Sequence, residues 1–383
     1  MMEATKVRVT QSDIARVAGV HNTTVSLALR NCPAIPETTR RRIQAVAEKM
    51  GYYPDPALRA LVAYRRGLRS NVRQQTVAYV TNWDTRWGWR DAPAQARFYA
   101  GAQRKAAQFG YLIEHFWLGE PGMTQPRLSN VLFHRGITGV ILAAHRADSN
   151  EVIEFDWARL SAVKIGCFPH LPSLHRVVDD QGGGVRLAMR QALAAGYERI
   201  GLVMPRSWDD LVDQAWSTVS LAAQSRLAAS QRVPILLYQD RLEGPASSFG
   251  VHSKIVDLPL LHRWYTHYRP DVVLAFSPSI GAQLRELGLS IPDTVAYADL
   301  VLDEGEHHGA GVRQNSERVG EIATEMVVGL MQQNICGIPE VPTATLVEGS
   351  WVEGESLPTR RGRSARTSPD PLVDPDCVLT RSA

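Results

Sequence analysis

The chain has little cysteine: four residues in 383, Cys32, Cys167, Cys336 and Cys377, with no C-x-x-C spacing among them. Such sparse usage argues against a disulfide framework and against a thiolate zinc site, and it fits a reducing cytoplasm. There is no run of about 18 apolar residues, so no membrane-spanning helix is expected. The opening MMEATKVRVTQSD has no apolar core of a signal peptide, so export is not expected either. Catalytic signatures are equally scarce. G-x-S-x-G, H-E-x-x-H and G-x-x-x-x-G-K-[ST] do not occur, which removes the nucleophile elbow, the zinc-protease helix and the phosphate loop. Gly182-Gly183-Gly184 suggests a dinucleotide fingerprint, but Leu187 holds the third glycine place, and a tight strand-to-helix turn is the expected role. His262 and His267 are five residues apart and do not share a helix face, and His307-His308 reads as a solvated loop. No cofactor or metal is expected, and no internal repeat is found.

What is present is an ordinary globular composition, 44% hydrophobic and 21% charged, with a formal net charge of +3. That small total conceals an asymmetry. Residues 1–75 carry 13 Lys and Arg against 5 Asp and Glu, or +8, and the remainder carries 29 against 34, or −5. A basic module joined to a larger acidic one is a footprint of nucleic-acid binding, although a merely solvated basic face has the same charge.

The basic module reads as three short helices. Thr10 and Asp13 have the spacing of a capping box, followed by the apolar positions Ile14, Ala15, Val17 and Ala18. Gly19 breaks the pattern as a tight turn requires. A second helix runs from about Asn22 to Arg30 on Val25, Ala28 and Leu29. Pro36 opens a third, with Ile43, Val46, Ala47 and Met50 as its buried stripe. Asp55 between two prolines ends one element, and Ala57–Tyr64 could form a short helix. The polar, basic stretch Arg65–Gln75 reads as a linker.

From Thr76 the texture changes to strand–helix alternation. Buried-strand runs include Val77–Thr81, Gly139–Ala143, Val163–Cys167, Ile200–Met204, Ile235–Tyr238, Val272–Phe276 and Thr294–Ala298. Helical stretches such as Gln95–Phe109, Val185–Ala195 and Ile280–Leu287 lie between them. This alternation argues for doubly wound parallel sheets, and its length for two lobes, with ligands outside the carboxyl ends of the strands. From Gly354 the chain is rich in Pro, Arg, Ser and Asp, and a disordered tail is expected. The expected divisions are therefore 1–55, 56–75, 76–353 and 354–383.

Residues 9–61, VTQSDIARVAGVHNTTVSLALRN followed by PETTRRRIQAVAEKMGYYPDPALRAL, resemble the headpiece of the LacI/GalR family of bacterial transcription regulators. Asp180-x-x-Gly183-Gly184, Ala195-Gly196-Tyr197, Leu287–Pro292 and Val312–Asn315 extend the likeness to about residue 352. The resemblance implies an all-α helix-turn-helix headpiece plus an α/β two-lobed, periplasmic-binding-protein-like domain. It also implies a homodimer on a palindromic double-stranded DNA operator, acting most often as a repressor and controlled by a small, sugar-related effector. A helix fits the major groove, where bases are distinguishable, so the start of the second helix is the expected reader: His21, Asn22 and Thr23. Thr10, Thr24, Ser26 and Thr39 can bond phosphates, and Arg30 and Tyr52 are further contacts. Family members commonly carry Arg where this chain has Leu27, so a guanine-reading fork is lost. By the same resemblance Pro56–Val62 would fold on DNA, and Leu61 would wedge between base steps in the minor groove; the alternative is an ordinary linker residue.

For the effector cleft the resemblance points to the loop after the first strand, with Asn82, Trp83, Trp87 and Trp89. There aromatics either stack on sugar rings or plug a hydrophobic interface. Asp299 matches a position where the family uses an acid for ligand hydroxyls, or else it is a cap. Asp213 and Trp216 stand where relatives often place an arginine. His145, Phe168 and Ser277 follow other strands. The missing arginine motivates a second expectation, an α/β part that answers to a protein partner. A sugar-processing enzyme is a third, unsupported by any nucleophile–base–acid set.

Overall fold

The computed structural model describes residues 9–29, 31–32, 34–52, 75–145, 152–167, 172–239, 256–276, 278–302 and 309–360. The expected hinge helix and linker, Arg30, Leu61, Phe168, Ser277, His307-His308 and residues 361–383 lie outside them.

The headpiece consists of α1 (Gln11–Ala18), α2 (Asn22–Leu29) and α3 (Glu37–Lys49). The capping box forms as its spacing requires: the Asp13 N–H donates to Thr10 Oγ1 at 3.3 Å, and the Thr10 N–H donates to Asp13 Oδ2 at 3.0 Å. Gly19 ends α1 in the left-handed region, φ +66°, which lets the chain turn sharply into α2. Ile14, Ala15, Val25, Ala28, Ile43 and Ala47 form the small core between the three helices. Arg40 and Gln44 on α3 bond the Asn31 carbonyl and side chain at 3.0 and 2.7 Å, fixing the end of α2.

The first lobe is a six-stranded parallel sheet. Its strands are β1 (Gln75–Asn82), β2 (Tyr111–Trp117), β3 (Gly139–His145), β4 (Ser161–Ile165), β5 (His175–Asp179) and β11 (Ala344–Val347), in the order β11-β5-β4-β3-β1-β2. Helix α4 (Pro93–Gln108) covers one face and α5 (Gln125–His134) the other. The second lobe has β6 (Ile200–Pro205), β7 (Leu236–Tyr238), β8 (Val272–Ala275), β9 (Ala296–Leu302), β10 (Ala310–Arg313) and β12 (Ser350–Val352), in the order β12-β10-β9-β8-β6-β7. Only β12 runs antiparallel to its neighbour in this sheet. Its helices are α6 (Gln181–Ala194), α7 (Arg206–Leu211), α8 (Ala215–Ser225), α9 (Leu258–Tyr268) and α10 (Pro278–Glu286). Each sheet carries an apolar cluster on both faces, as doubly wound parallel sheets must.

Helix α11 (Ser316–Gln333) follows β10 of the second lobe yet packs in the first, against α4. The two backbones approach so closely that a Cβ at Gly320 would lie 1.9 Å from the Phe98 carbonyl oxygen, and one at Gly101 2.0 Å from that of Glu317. The chain therefore passes between lobes three times: at β5–α6, β10–α11 and β11–β12. Hydrogen bonds tie the passages together. Asp180 N–H donates to the Val347 carbonyl at 2.8 Å, and Asn315 Nδ2 to that of Glu348 at 2.6 Å.

Three sequence expectations need adjustment. Gly182-Gly183-Gly184 is the first turn of α6 and not the turn before it. Asp180 is its N-cap, with Oδ1 accepting from Gly183 N–H at 2.8 Å, and a Cβ at Gly183 would collide with that carboxylate at 2.2 Å. The linker ends one residue earlier than expected, because Gln75 already pairs with Tyr111. Residues 354–360, grouped with the tail, are ordered against the second lobe. Leu357 is buried, Tyr197 Oη donates to the Pro358 carbonyl at 2.9 Å, and Arg360 binds Asp271 at 2.8 Å while its ring-stacking partner is Tyr197.

Candidate functional site

Two regions concentrate functional side chains. In the headpiece the first residues of α2 are exposed: His21, Asn22 and Thr23 lie together on the surface, and Thr24, Ser26 and Leu27 are half-buried behind them. His21 caps this end. Its carbonyl accepts from Thr24 and Val25, and its Nδ1 accepts from Thr23 N–H at 3.3 Å, with Thr23 Oγ1 at 3.0 Å. A neutral ring accepting at Nδ1 carries its proton on Nε2, which makes His21 a donor at the tip of the helix. Thr10 is exposed at the start of α1 and Thr39 half-buried in the first turn of α3. Tyr52 is pinned from the opposite side, its hydroxyl accepting from Gln11 Nε2 at 3.1 Å. The capping interaction of Thr10 holds the Asp13 carboxyl below its ordinary range, with Arg16 adding to it. Exposed Arg41, Arg42 and Lys49 on α3 give this module much of its described positive surface.

The second region lies at the three passages between lobes. A small recess, open to solvent, is lined by Asp179, Asp180, Gln181, Phe276, Leu300, Val312, Gln314 and Gly349. Trp216 stacks on Phe276 with ring centroids 3.6 Å apart. Its Nε1 donates to Gln181 Oε1 at 3.1 Å, and the same oxygen accepts from Gln314 Nε2 at 3.3 Å. One network thus joins α8, the first passage and the second. Asp179 is 5% exposed, and its Oδ1 has no hydrogen-bond partner among the described residues. Burial pushes its carboxyl up to about 7.

The expected effector residues separate into groups. Trp216 borders the recess through Phe276. Asp213, beside it in sequence, is exposed with φ +55°. Asp299 is buried in the middle of β9, which runs on to Leu302, with Oδ1 accepting from Val301 N–H at 2.9 Å; its neighbour Leu300 is the residue that lines the recess. Asn82 ends β1, half-buried, in register with His145 at the end of β3. Trp83 is buried with Trp89 and Ala92, and its carbonyl accepts from Trp117 Nε1 at 2.8 Å. Trp87 remains 45% exposed, between Arg90 (4.1 Å from its ring) and His115 (4.6 Å). Burial, with Arg86 and Arg90 nearby, lowers the His115 ring to about 4. Asp179, Gln181 and Gln314 were not among the candidates. The run VVDDQGGG held the only signal, two adjacent acids before a helix. Among the described residues no group of three or more His, Cys, Asp or Glu could hold a metal, and no helix is long and apolar enough to cross a membrane.

Comparison with known proteins agrees with this arrangement. Residues 10–55 match the family described as bacterial regulatory proteins, lacI family. Over 53 residues the chain is 45% identical to the "Probable HTH-type transcriptional repressor ExuR" of Bacillus subtilis (strain 168), which takes in 14% of this chain and 16% of that protein. The structure is similar to that of the transcriptional regulator CelR–cellobiose complex, with TM-score 0.53 and 21% identity over 91% of this chain and 100% of the other. It is also similar to the lac repressor dimer bound to operator and the anti-inducer ONPF, with TM-score 0.50 and 15% identity over 92% of this chain and 99% of the other. At these identities the structural likeness is one of fold.

Proposed function

We propose, from a headpiece that matches the lacI family of bacterial regulatory proteins, that this protein is a sequence-specific transcriptional repressor acting as a homodimer on a two-fold symmetric DNA operator. The observation that carries the reading is the exposed start of α2, where His21, Asn22 and Thr23 stand clear of the headpiece core on a helix capped at that end. Asn pairs in bidentate fashion with adenine, and a Thr methyl contacts a thymine methyl. Thr10, Thr24, Ser26, Thr39 and Tyr52 supply phosphate contacts, and Arg30 and Leu61 continue the interface as backbone clamp and minor-groove wedge. Leu27 offers an apolar contact where a cation would read guanine. Support for the dimer comes from the lac repressor structure, a dimer on its operator.

The second half of the proposal is a small ligand, carbohydrate in class, between the lobes. The recess sits where three passages meet, so a molecule held there touches both lobes and biases their angle, as ligands do at hinge-type clefts. The CelR–cellobiose complex shares the fold. The test is a selection from random duplexes with full-length protein, with and without a panel of sugars. A symmetric consensus whose enrichment changes with one sugar supports the proposal, and enrichment that is lost in Asn22→Ala identifies α2 as the reader. No consensus under any condition overturns it.

A further inference from the structure

We propose that the hinge recess selects a neutral or amine-bearing ligand over an acidic one, by presenting acceptors to the hydroxyl or ammonium donors of that ligand. This rests on the reading that a small molecule occupies the space between the lobes.

The argument begins with Asp179. Asp179 lines a solvent-open recess, yet its Oδ1 is buried and has no donor among the described residues, on a residue that is 5% exposed. A buried carboxylate oxygen without a donor is costly, and native structures pair nearly all such atoms. A ligand hydroxyl or ammonium supplies the missing donor.

The remaining polar atoms decide the charge that can enter. Gln181 Oε1 is already engaged by both Trp216 Nε1 and Gln314 Nε2. The amino end of α6 would ordinarily attract an anion. Here Asp180 occupies it, with Oδ1 on Gly183 N–H at 2.8 Å, so that positive end is already answered by a carboxylate. Among the described residues neither Lys nor Arg lines the recess. A carboxylate or phosphate entering it meets two aspartates and, among the described residues, no cation. Phe276, Leu300 and Val312 supply an apolar wall suited to the C–H face of a ring, with Phe276 held flat by Trp216 behind it.

The experiment uses full-length protein at pH 8, where Asp179 is ionised, and matched sets of probes. These are glucose, glucosamine and glucuronate; galactose, galactosamine and galacturonate; xylose; and cellobiose. Binding is read by calorimetry and thermal shift. At least one neutral or amino member should bind, with its acid counterpart weaker by about tenfold or more. Asp179→Asn should weaken that member by a similar factor while melting as a folded protein. If that variant does not fold, Asp179→Ser and the wild-type ratio of neutral to acid affinity serve instead. An acid member that binds as tightly as its neutral counterpart, or an unchanged affinity in Asp179→Asn, overturns the inference and leaves the ligand-controlled repressor intact. Failure of every probe to bind overturns both the inference and the ligand half of the proposed function.

Discussion

Asp179 and His115 are both buried and both perturbed, but they respond to pH in opposite directions. Burial raises the Asp179 carboxyl to about 7 from 3.8, so the folded chain holds that proton more tightly than the unfolded chain. Its contribution to stability therefore falls as pH rises from about 4 to about 7. His115 is lowered to about 4 from 6.5 by burial first and by Arg86 and Arg90 second. The unfolded chain takes up that proton first, so stability is lost as pH falls from about 6.5 to about 4. Thermal melts of the ligand-free protein should separate them. Asp179→Asn should melt higher than the wild type at pH 8 and lose most of that advantage at pH 5. His115→Gln should narrow the drop in melting temperature between pH 6.5 and pH 4.5. A wild-type pH profile retained in both variants contradicts these assignments. Under the proposed reading, the carboxylate that costs stability is the one that accepts from a ligand, a trade common at functional sites.

At the scale of elements, the contact between α4 and α11 depends on glycine at Gly101 and Gly320, where backbone meets backbone. Gly320→Ala should cost on the order of 1–3 kcal/mol or more in denaturant unfolding, because the obstructing atoms are carbonyls that cannot rotate away. On α2, Asn22→Ala should reduce discrimination between operator and mismatched sites by about 1–3 kcal/mol, leaving non-specific binding nearly unchanged. Leu27→Arg should shift the preferred base toward guanine at one position in each half-site. Elements differ in how plainly they are written in the chain. The capping box of α1 and the turn at Gly19 depend on residues three to nine apart, and they are legible for that reason. Strands β1, β3 and β6 are interior to their sheets and read as apolar runs. Edge strand β2 does not, because YLIEHFW includes Glu114, which pairs with Arg135 at 2.7 Å, and His115, buried under Trp87 and Trp89. Strand β5 begins with the half-buried His175 and Arg176 and is masked in the same way.

At the scale of the whole molecule, the two-lobed layout and the basic headpiece follow from alternation and charge, whereas the recess does not. It is assembled from residues near 180, 276, 300, 313 and 349, which come together only once three passages of chain lie side by side. Tryptophan was an ambiguous guide for the same reason. Trp83 and Trp89 follow β1 as a stacking platform would, yet they pack into the first lobe, and the aromatic surface at the recess comes from Phe276 with Trp216 behind it. The central claim is that the start of α2 reads duplex DNA. Full-length protein and its Asn22→Ala variant, each taken through the same selection from random duplexes, test it most directly. The account predicts a two-fold symmetric consensus for the wild type and loss of its sharpest positions in the variant. Identical consensus sequences from both proteins, or none from the wild type, would contradict it.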